Sequence, residues 1–418
     1  MTTAVRDDSG TMAALGSAAS ATAYVLVMLF VASIPLEYSL ILPGIGSITK
    51  VIGILAFCAV VIDLPLNGRV RATPAVCGVL LAFVLWSLVS VCWSFDPQLS
   101  IGRSMTYLQL LVMSWIIWQY IQTATDLQRA MQLFVAGALI VALVTIKDFR
   151  AINLTALVIT DLRVSAFGQN PNETGLMLVV ALPLALQLLR SSQSRPLRLL
   201  NEAYLVLGSI AAILTASRGA FVALVVAGVM MLALMRGVRR RASATLIGLI
   251  LLLVLVVGAA VFLVPENTWS RLGTIAVNVQ RLDFNNRTEN WQAGIALFLN
   301  QPLIGIGAGA FEGATAHLIT IPRSSHSTWL GVIVETGVVG AALWFGALAY
   351  MVAALRSADK AVVRALLSSI VPMAVGMAIL GWDHRKIPWL VFALCLCAGS
   401  VQRSSRSEAG AGAAGVPH

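Results

Sequence analysis

Pro74-Ala-Val-Cys-Gly-Val-Leu-Leu-Ala-Phe-Val-Leu-Trp-Ser-Leu-Val-Ser-Val-Cys-Trp93 contains no charged residue. A helix needs a run of about 20 apolar residues to cross the hydrocarbon core of a bilayer, and comparable runs recur along the 418-residue chain. Hydrophobic residues make up 59% of the sequence and charged residues 11%, with a mean hydropathy of +0.89. Soluble domains carry about 25% charged residues, so this composition excludes a soluble protein. In lipid the backbone must satisfy its own N–H and C=O groups, which a helix does. The expected fold is therefore all-α: a polytopic integral membrane protein, a single membrane domain over 1–418.

Twelve spans are expected, at roughly 23–42, 49–66, 74–93, 104–121, 129–147, 174–190, 199–215, 219–235, 244–264, 330–355, 361–380 and 387–402. The five cysteines, Cys58, Cys77, Cys92, Cys395 and Cys397, all lie in apolar stretches, where a free thiol behaves as a small hydrophobe. Neither a disulfide framework nor a metal cage is implied. The small residues from Ala18 to Ala23 precede the first apolar run instead of following it, so the N-terminus reads as a short uncleaved tail.

Orientation follows from the basic residues of short loops, which stay in the cytoplasm. Alternate loops carry Arg69/Arg71, Arg129, Arg190/Arg195/Arg198, Arg236/Arg239/Arg240/Arg241 and Arg356/Lys360/Arg364, and the tail at 403–418 carries Arg403/Arg406. Both termini are thus expected in the cytoplasm. The net charge of +10 is partly this topology signal, and no nucleic-acid partner is expected. Ten basic residues fall on the opposite, outer side: Arg103, Arg150, Arg163, Arg218, Arg271, Arg281, Arg287, Arg323, Arg385 and Lys386. Outward arginine opposes the topology bias, so its clustering points to an anionic partner, although any single one reads better as a surface charge or head-group anchor. Two outer segments exceed ordinary hairpin length, near 147–173 and 266–326, and loops beyond about 15 residues are usually functional or disordered. The second holds the amphipathic stretch Trp291-Gln-Ala-Gly-Ile-Ala-Leu-Phe-Leu299, expected as a helical cap along the outer interface.

Three stretches carry candidate chemistry. In Thr215-Ala-Ser-Arg-Gly-Ala-Phe221, two apolar spans leave a turn of about three residues, placing Arg218 at the membrane edge. An ionisable residue at that depth is a functional candidate; a snorkelling anchor is the alternative. In Asn285-Asn-Arg-Thr-Glu-Asn-Trp291 and Gln301-Pro-Leu-Ile-Gly-Ile-Gly-Ala-Gly-Ala-Phe311, the alternating glycines do not match a nucleotide fingerprint. They suit a tight backbone turn against a neighbour or a ligand. In Ser324-Ser-His-Ser-Thr-Trp-Leu-Gly-Val-Ile-Val-Glu335, His326 sits at a helix start. There the dipole disfavours imidazolium, which suits a general base; a structural histidine is the bland alternative. Glu335, nine residues on, falls on the opposite helix face about 13 Å away and reads as a helix-packing or hydrogen-bonding residue. His317, His384 and His418 stand in less structured contexts.

The order of these motifs resembles the O-antigen ligase and polymerase superfamily: Ser-Arg-Gly-Ala at 217–220, Arg287 four residues before Trp291, Pro-Leu-Ile-Gly-Ile-Gly at 302–307, and His326-Ser-x-x-Leu-x-x-x-x-Glu335-x-Gly-x-x-Gly340. Asn170-Pro-Asn172 precedes a span in the same region, roughly 160–345. The resemblance implies a glycosyltransferase-C-like membrane fold and a metal-independent, cofactor-free, inverting glycosyltransferase working on the periplasmic side of the bacterial inner membrane. It further implies an undecaprenyl-diphosphate-linked glycan donor, a lipid A-core acceptor in lipopolysaccharide biosynthesis, surrounding membrane lipids, and a monomeric chain. By this similarity Arg218 and Arg287 are the family's essential arginines and His326 its essential histidine. Arg163 and Arg323 are further substrate-binding candidates, with a plain surface role for Arg323 as the alternative. Ser327 stands where many members carry Asn. An O-antigen polymerase, a protein-glycosylating relative and, in a different class, a lipid-glycan transporter are the competing readings. Internal repeats and mid-membrane charges, which transporters tend to show, were not found in the sequence.

Overall fold

The computed structural model describes residues 5–414 except 40, 45, 69, 156–163, 236–286 and 321–322. The protein is an all-α polytopic membrane protein. Thirteen α-helices occur among the described residues: α1 Val5–Ser33, α2 Ile48–Asn67, α3 Ala75–Val89, α4 Pro97–Tyr120, α5 Ala124–Thr155, α6 Pro171–Ser191, α7 Arg195–Leu214, α8 Arg218–Met235, α9 Arg287–Asn300, α10 Phe311–Thr315, α11 Thr328–Ala354, α12 Lys360–Met377 and α13 Lys386–Ala414. A two-stranded hairpin, Ile41–Leu42 against Gly46–Ser47, joins α1 to α2.

Eleven of the twelve expected spans coincide with helices, and the one at 244–264 lies outside the described residues. Eight helices are long and apolar enough to cross a membrane; Arg218–Leu232 and Lys386–Gln402 are apolar but shorter. The remaining one, α4, carries Ser100, Arg103, Ser104 and Gln119 along its length. The helices are not uniform: α4 turns polar groups inward, and α8 and α13 have short apolar stretches.

The innermost helix is α6, whose side chains are buried from Thr174 through Leu186. Asn170 caps it by accepting the Asn172 amide at 2.9 Å, and Pro171 takes the first turn, where its missing N–H costs nothing. Around α6 pack α5, α7, α8 and α12, while α11 leans on α3 and α13.

Helix direction divides the bundle into two ends. At one, Asp63 accepts hydrogen bonds from Ser20, Asn67 and Tyr120. Nearby, Arg71 donates to the carbonyls of Trp118 and Ile121 and stacks 3.6 Å above the Trp118 ring, so it is a staple between helix ends as well as a charge. Lys50, Arg103, Arg218, Arg287, Arg323, Arg385 and Lys386 all belong to the other end, where α2, α4, α6, α8, α11 and α13 begin.

Candidate functional site

The turn between α7 and α8 is three residues long, as the spacing implied. Ala216 takes a left-handed conformation (φ 50°), and the buried Ser217 then caps α8, its Oγ accepting the Ala220 amide at 3.2 Å. The same hydroxyl meets Asn172 Oδ1 on α6 at 2.9 Å. Gly219 lies flat against Ile379 at the end of α12, where a Cβ would come within 2.3 Å of the isoleucine side chain. Arg218 is therefore held at the junction of α6, α8 and α12.

The second arginine reaches the same junction. Arg287 opens α9 and donates from Nη1 to the Ile379 carbonyl at 3.0 Å. Burial lowers its pKa, and the charges of Arg218 and Arg323 lower it further. The amphipathic stretch does form a helix, α9, with Asn290, Ala293, Gly294 and Leu297 buried and Leu299 exposed. It is tied to the segment before α11 at two points: Asn290 accepts the Arg323 amide at 3.1 Å, and Trp291 donates to the Ser325 carbonyl at 2.8 Å.

That segment carries His326, a half-buried residue with φ 45°. Its neighbour Ser327 is the N-cap of α11, accepting the Leu330 amide at 3.4 Å. Thr328 locks the same point to the turn after α12, with its amide and hydroxyl donating to the Leu380 carbonyl and the hydroxyl accepting the Trp382 amide. Burial pushes the His326 imidazole down to about 4, with Arg287 and Arg323 adding to the effect. Histidine at neutral pH is thus uncharged here, chiefly because of burial and cations, where the sequence reading had invoked the helix dipole.

The structure therefore brings Arg218, Arg287, Arg323 and His326 into one electrostatically coupled group. Arg163 lies outside the described residues.

The three glycines serve a neighbouring backbone. Gly305, Gly307 and Gly309 all have positive φ, and the loop runs beside a break in α11 at Gly337 (φ 65°). Ile306 and Gly307 donate to the carbonyls of Val334 and Glu335, and Val338 donates back to Pro302. The Gly309 amide binds Glu335 Oε2 at 2.7 Å. Sequence reasoning left open whether these glycines met a neighbour or a ligand; Gly305 packs on α11, Gly307 on Ser94 and Gly309 on Leu99 and Arg103 of α4.

One constellation was missed. Arg103 on α4 lies 3.0 Å from Asp383 and 3.6 Å from Glu335. Tyr107 donates to Asp383 at 2.6 Å, and Trp389 donates to the Asp383 carbonyl at 2.7 Å. His384, expected in a loose context, is partly buried against Asp383 at 3.4 Å. Charged Asp-His-Arg-Lys at 383–386 between two apolar spans was the available signal. This network braces the turn whose Ile379 and Leu380 carbonyls hold Arg287 and Thr328.

Residues 203–345 match the family model described as O-antigen ligase. Over that third of its length the chain is similar to the O-antigen ligase family. Members of this family are glycosyltransferase-like enzymes, with lipid-linked glycans and lipid acceptors as their general substrate classes. The matched region contains Arg218, Arg287, Arg323, His326 and Glu335, whereas Arg103, Arg163 and Asp383 fall outside it. No curated protein matches the chain.

Proposed function

We propose that the protein is an O-antigen ligase of the bacterial inner membrane. It moves a glycan from an undecaprenyl diphosphate carrier to a sugar hydroxyl of lipid A-core, on the periplasmic face, with inversion and without a metal or other cofactor. The observation carrying this reading is that Arg287 feels the charges of both Arg218 and Arg323, and His326 those of Arg287 and Arg323, at one end of a membrane bundle. Guanidinium groups bind a diphosphate through bidentate contacts, and neighbouring cations add to its attraction.

In the proposed reaction, His326 accepts the proton of the acceptor hydroxyl as its oxygen bonds to the anomeric carbon. The bond from that carbon to the diphosphate oxygen breaks on the opposite face, and the carrier diphosphate leaves with the electron pair, its charge held by Arg218 and Arg287. Arg323 and Arg163 contribute further substrate contacts. Asp383 and Glu335 are not free for other work, since Arg103 binds both. As proposed, the chain acts as a monomer, both termini are cytoplasmic, and residues 266–326 form the periplasmic loop of one membrane domain.

A route for the carrier chain supports this reading. Although consecutive, α11 and α12 both pack on α13, and between them lies a mostly apolar cleft of about 580 Å³ lined by Phe392 of α13. It extends from Trp329, three residues after His326, to Arg356 near the other end of α11.

The test combines purified protein, a lipid-diphosphate glycan and lipid A-core in the presence of EDTA. Glycosylated lipid A-core is the expected product. Growth of lipid-linked chains with lipid A-core left unmodified would replace the ligase with a polymerase, and a requirement for divalent metal would overturn the arginine-based scheme. Labelling of an engineered thiol at position 218 only from the cytoplasm would overturn the topology.

A further inference from the structure

A groove at the site end is lined by His384, Arg385 and Lys386, and by none of Arg218, Arg287 and Arg323. It separates α2 from α4, encloses about 740 Å³ and is mainly apolar. Pockets of about 300–1,000 Å³ are typical of small-molecule sites.

Its composition changes along its length in an order that matches one kind of molecule. At the mouth stand Lys50, Arg385 and Lys386. Lys50 is exposed, whereas Arg385 pairs with Glu173 and Lys386 with Glu37. The mouth therefore holds three cations against two carboxylates. Thr106 and Gln109 come next on α4, and then Ile54, Phe57, Met113 and Ile116 close the inner end. Phosphate, polar linkage and hydrocarbon would meet matching surroundings in that order.

Length separates an acyl lipid from a polyprenyl one. Along α2 the groove runs seven residues, Lys50 to Phe57, and along α4 ten residues, Thr106 to Ile116, or about 10–15 Å at 1.5 Å per residue. That is about one leaflet of a hydrocarbon core roughly 30 Å thick, so a carrier tail that crosses the midplane would outrun it.

We propose that the groove between α2 and α4 seats an acyl chain of the phosphate-bearing acceptor lipid, with its phosphate at Lys50 and Lys386. The proposal rests on the glycan-ligase reading above. In this arrangement donor and acceptor enter from different sides of the bundle, and the Asp383 turn stands between their headgroups.

The experiment uses the full-length protein, Lys50→Glu and Ile54→Trp variants, and two probes, purified lipid A-core and phosphatidylglycerol. Ile54 is a half-exposed groove residue, so tryptophan fills the groove without entering the helix core. Both variants should raise the KM for lipid A-core about tenfold, leaving kcat within twofold and the donor KM unchanged. Native mass spectrometry should show lipid A-core retained by the wild type in preference to phosphatidylglycerol, and lost in Lys50→Glu. An unaltered acceptor KM in folded variants overturns the proposal, as does a rise in donor KM or equal retention of the two lipids. If the wild type transfers nothing, the ligase reading fails, yet the retention comparison still decides whether the groove holds a phosphorylated acyl lipid.

Discussion

Two arginine groups lie at the same end of the bundle and are built in opposite ways. Arg103 sits between Asp383 and Glu335, with Tyr107 completing the set. Arg287 sits among other cations, and Arg218 and Arg323 both disfavour its charge. A compensated buried charge holds chain segments in register, and here it joins α4, the break in α11 and the turn before α13. Neighbouring like charges raise the attraction for an anion, which is the use proposed for them. The two groups meet at one turn: Asp383 anchors it from below, and the Ile379 carbonyl receives Arg287 at its start.

The sharpest test of the contrast is substitution within the cationic group. Arg287→Ala and Arg218→Ala should each lower glycan transfer at least about 10²–10³-fold, the scale seen when a preorganised charge-stabilising donor is removed. Membrane insertion and the thermal midpoint in detergent should stay near wild type. Arg287→Lys should recover little, because an ammonium cannot reproduce a bidentate guanidinium contact. Wild-type transfer by a folded Arg218→Ala protein would mean that the crowding serves structure.

The compensated group should fail in the other way. Arg103→Ala leaves two carboxylates buried without their shared cation, and breaking a buried pair costs about 3–5 kcal/mol. The expected result is a lower unfolding midpoint and reduced yield in detergent, with activity lost in proportion to folded protein. Normal stability accompanied by selective loss of transfer would move Arg103 into the binding machinery.

The two designs also differ in their response to pH. Because burial and nearby cations hold His326 at about 4, its imidazole is neutral from pH 8 down to 5 and stays competent to accept a proton. kcat/KM should therefore be flat over that interval with respect to this group and fall as pH approaches 4. A bound diphosphate partly cancels Arg287 and Arg323, so it should raise the His326 pKa. Nitrogen chemical shifts of labelled histidine, with and without a non-hydrolysable diphosphate, would read this directly. A pKa near 6.5 in the free protein would contradict the buried, cation-flanked setting.

How far each region was legible in the sequence follows from the range of its contacts. The spans were legible because bilayer thickness imposes a length on every apolar run. The α7–α8 turn and the start of α11 were legible because capping and loop length are local. Sidedness singled out Arg218, which sits in a tight outer turn where a charge is costly, whereas Arg287 and His326 joined it through the resemblance of the ordered motifs. The Arg103 network joins residues 280 positions apart, and no local pattern links α4 to the turn before α13. The Gly305, Gly307 and Gly309 loop was half legible: its need for positive φ was evident, whereas its partner, the broken α11, depended on a tertiary approach. The chain direction of α4 was clear, but its buried polar face was not, because it packs on helices far away in sequence.

The smallest expected effect concerns Ser327. In this fold Ser327 is the N-cap of α11, buried beside His326 and accepting the Leu330 amide. Serine and asparagine cap helices about equally well, while alanine costs about 1 kcal/mol. Ser327→Asn should thus retain transfer within about twofold, given a capping difference of only tenths of a kcal/mol, and keep the wild-type unfolding midpoint. Ser327→Ala should lower the midpoint and, by loosening the left-handed turn at His326, depress kcat more than either KM. If Ser327→Asn instead changed acceptor KM, the residue would be reading substrate, and the division between a bracing region and a receiving region would have to be drawn one residue further along the chain.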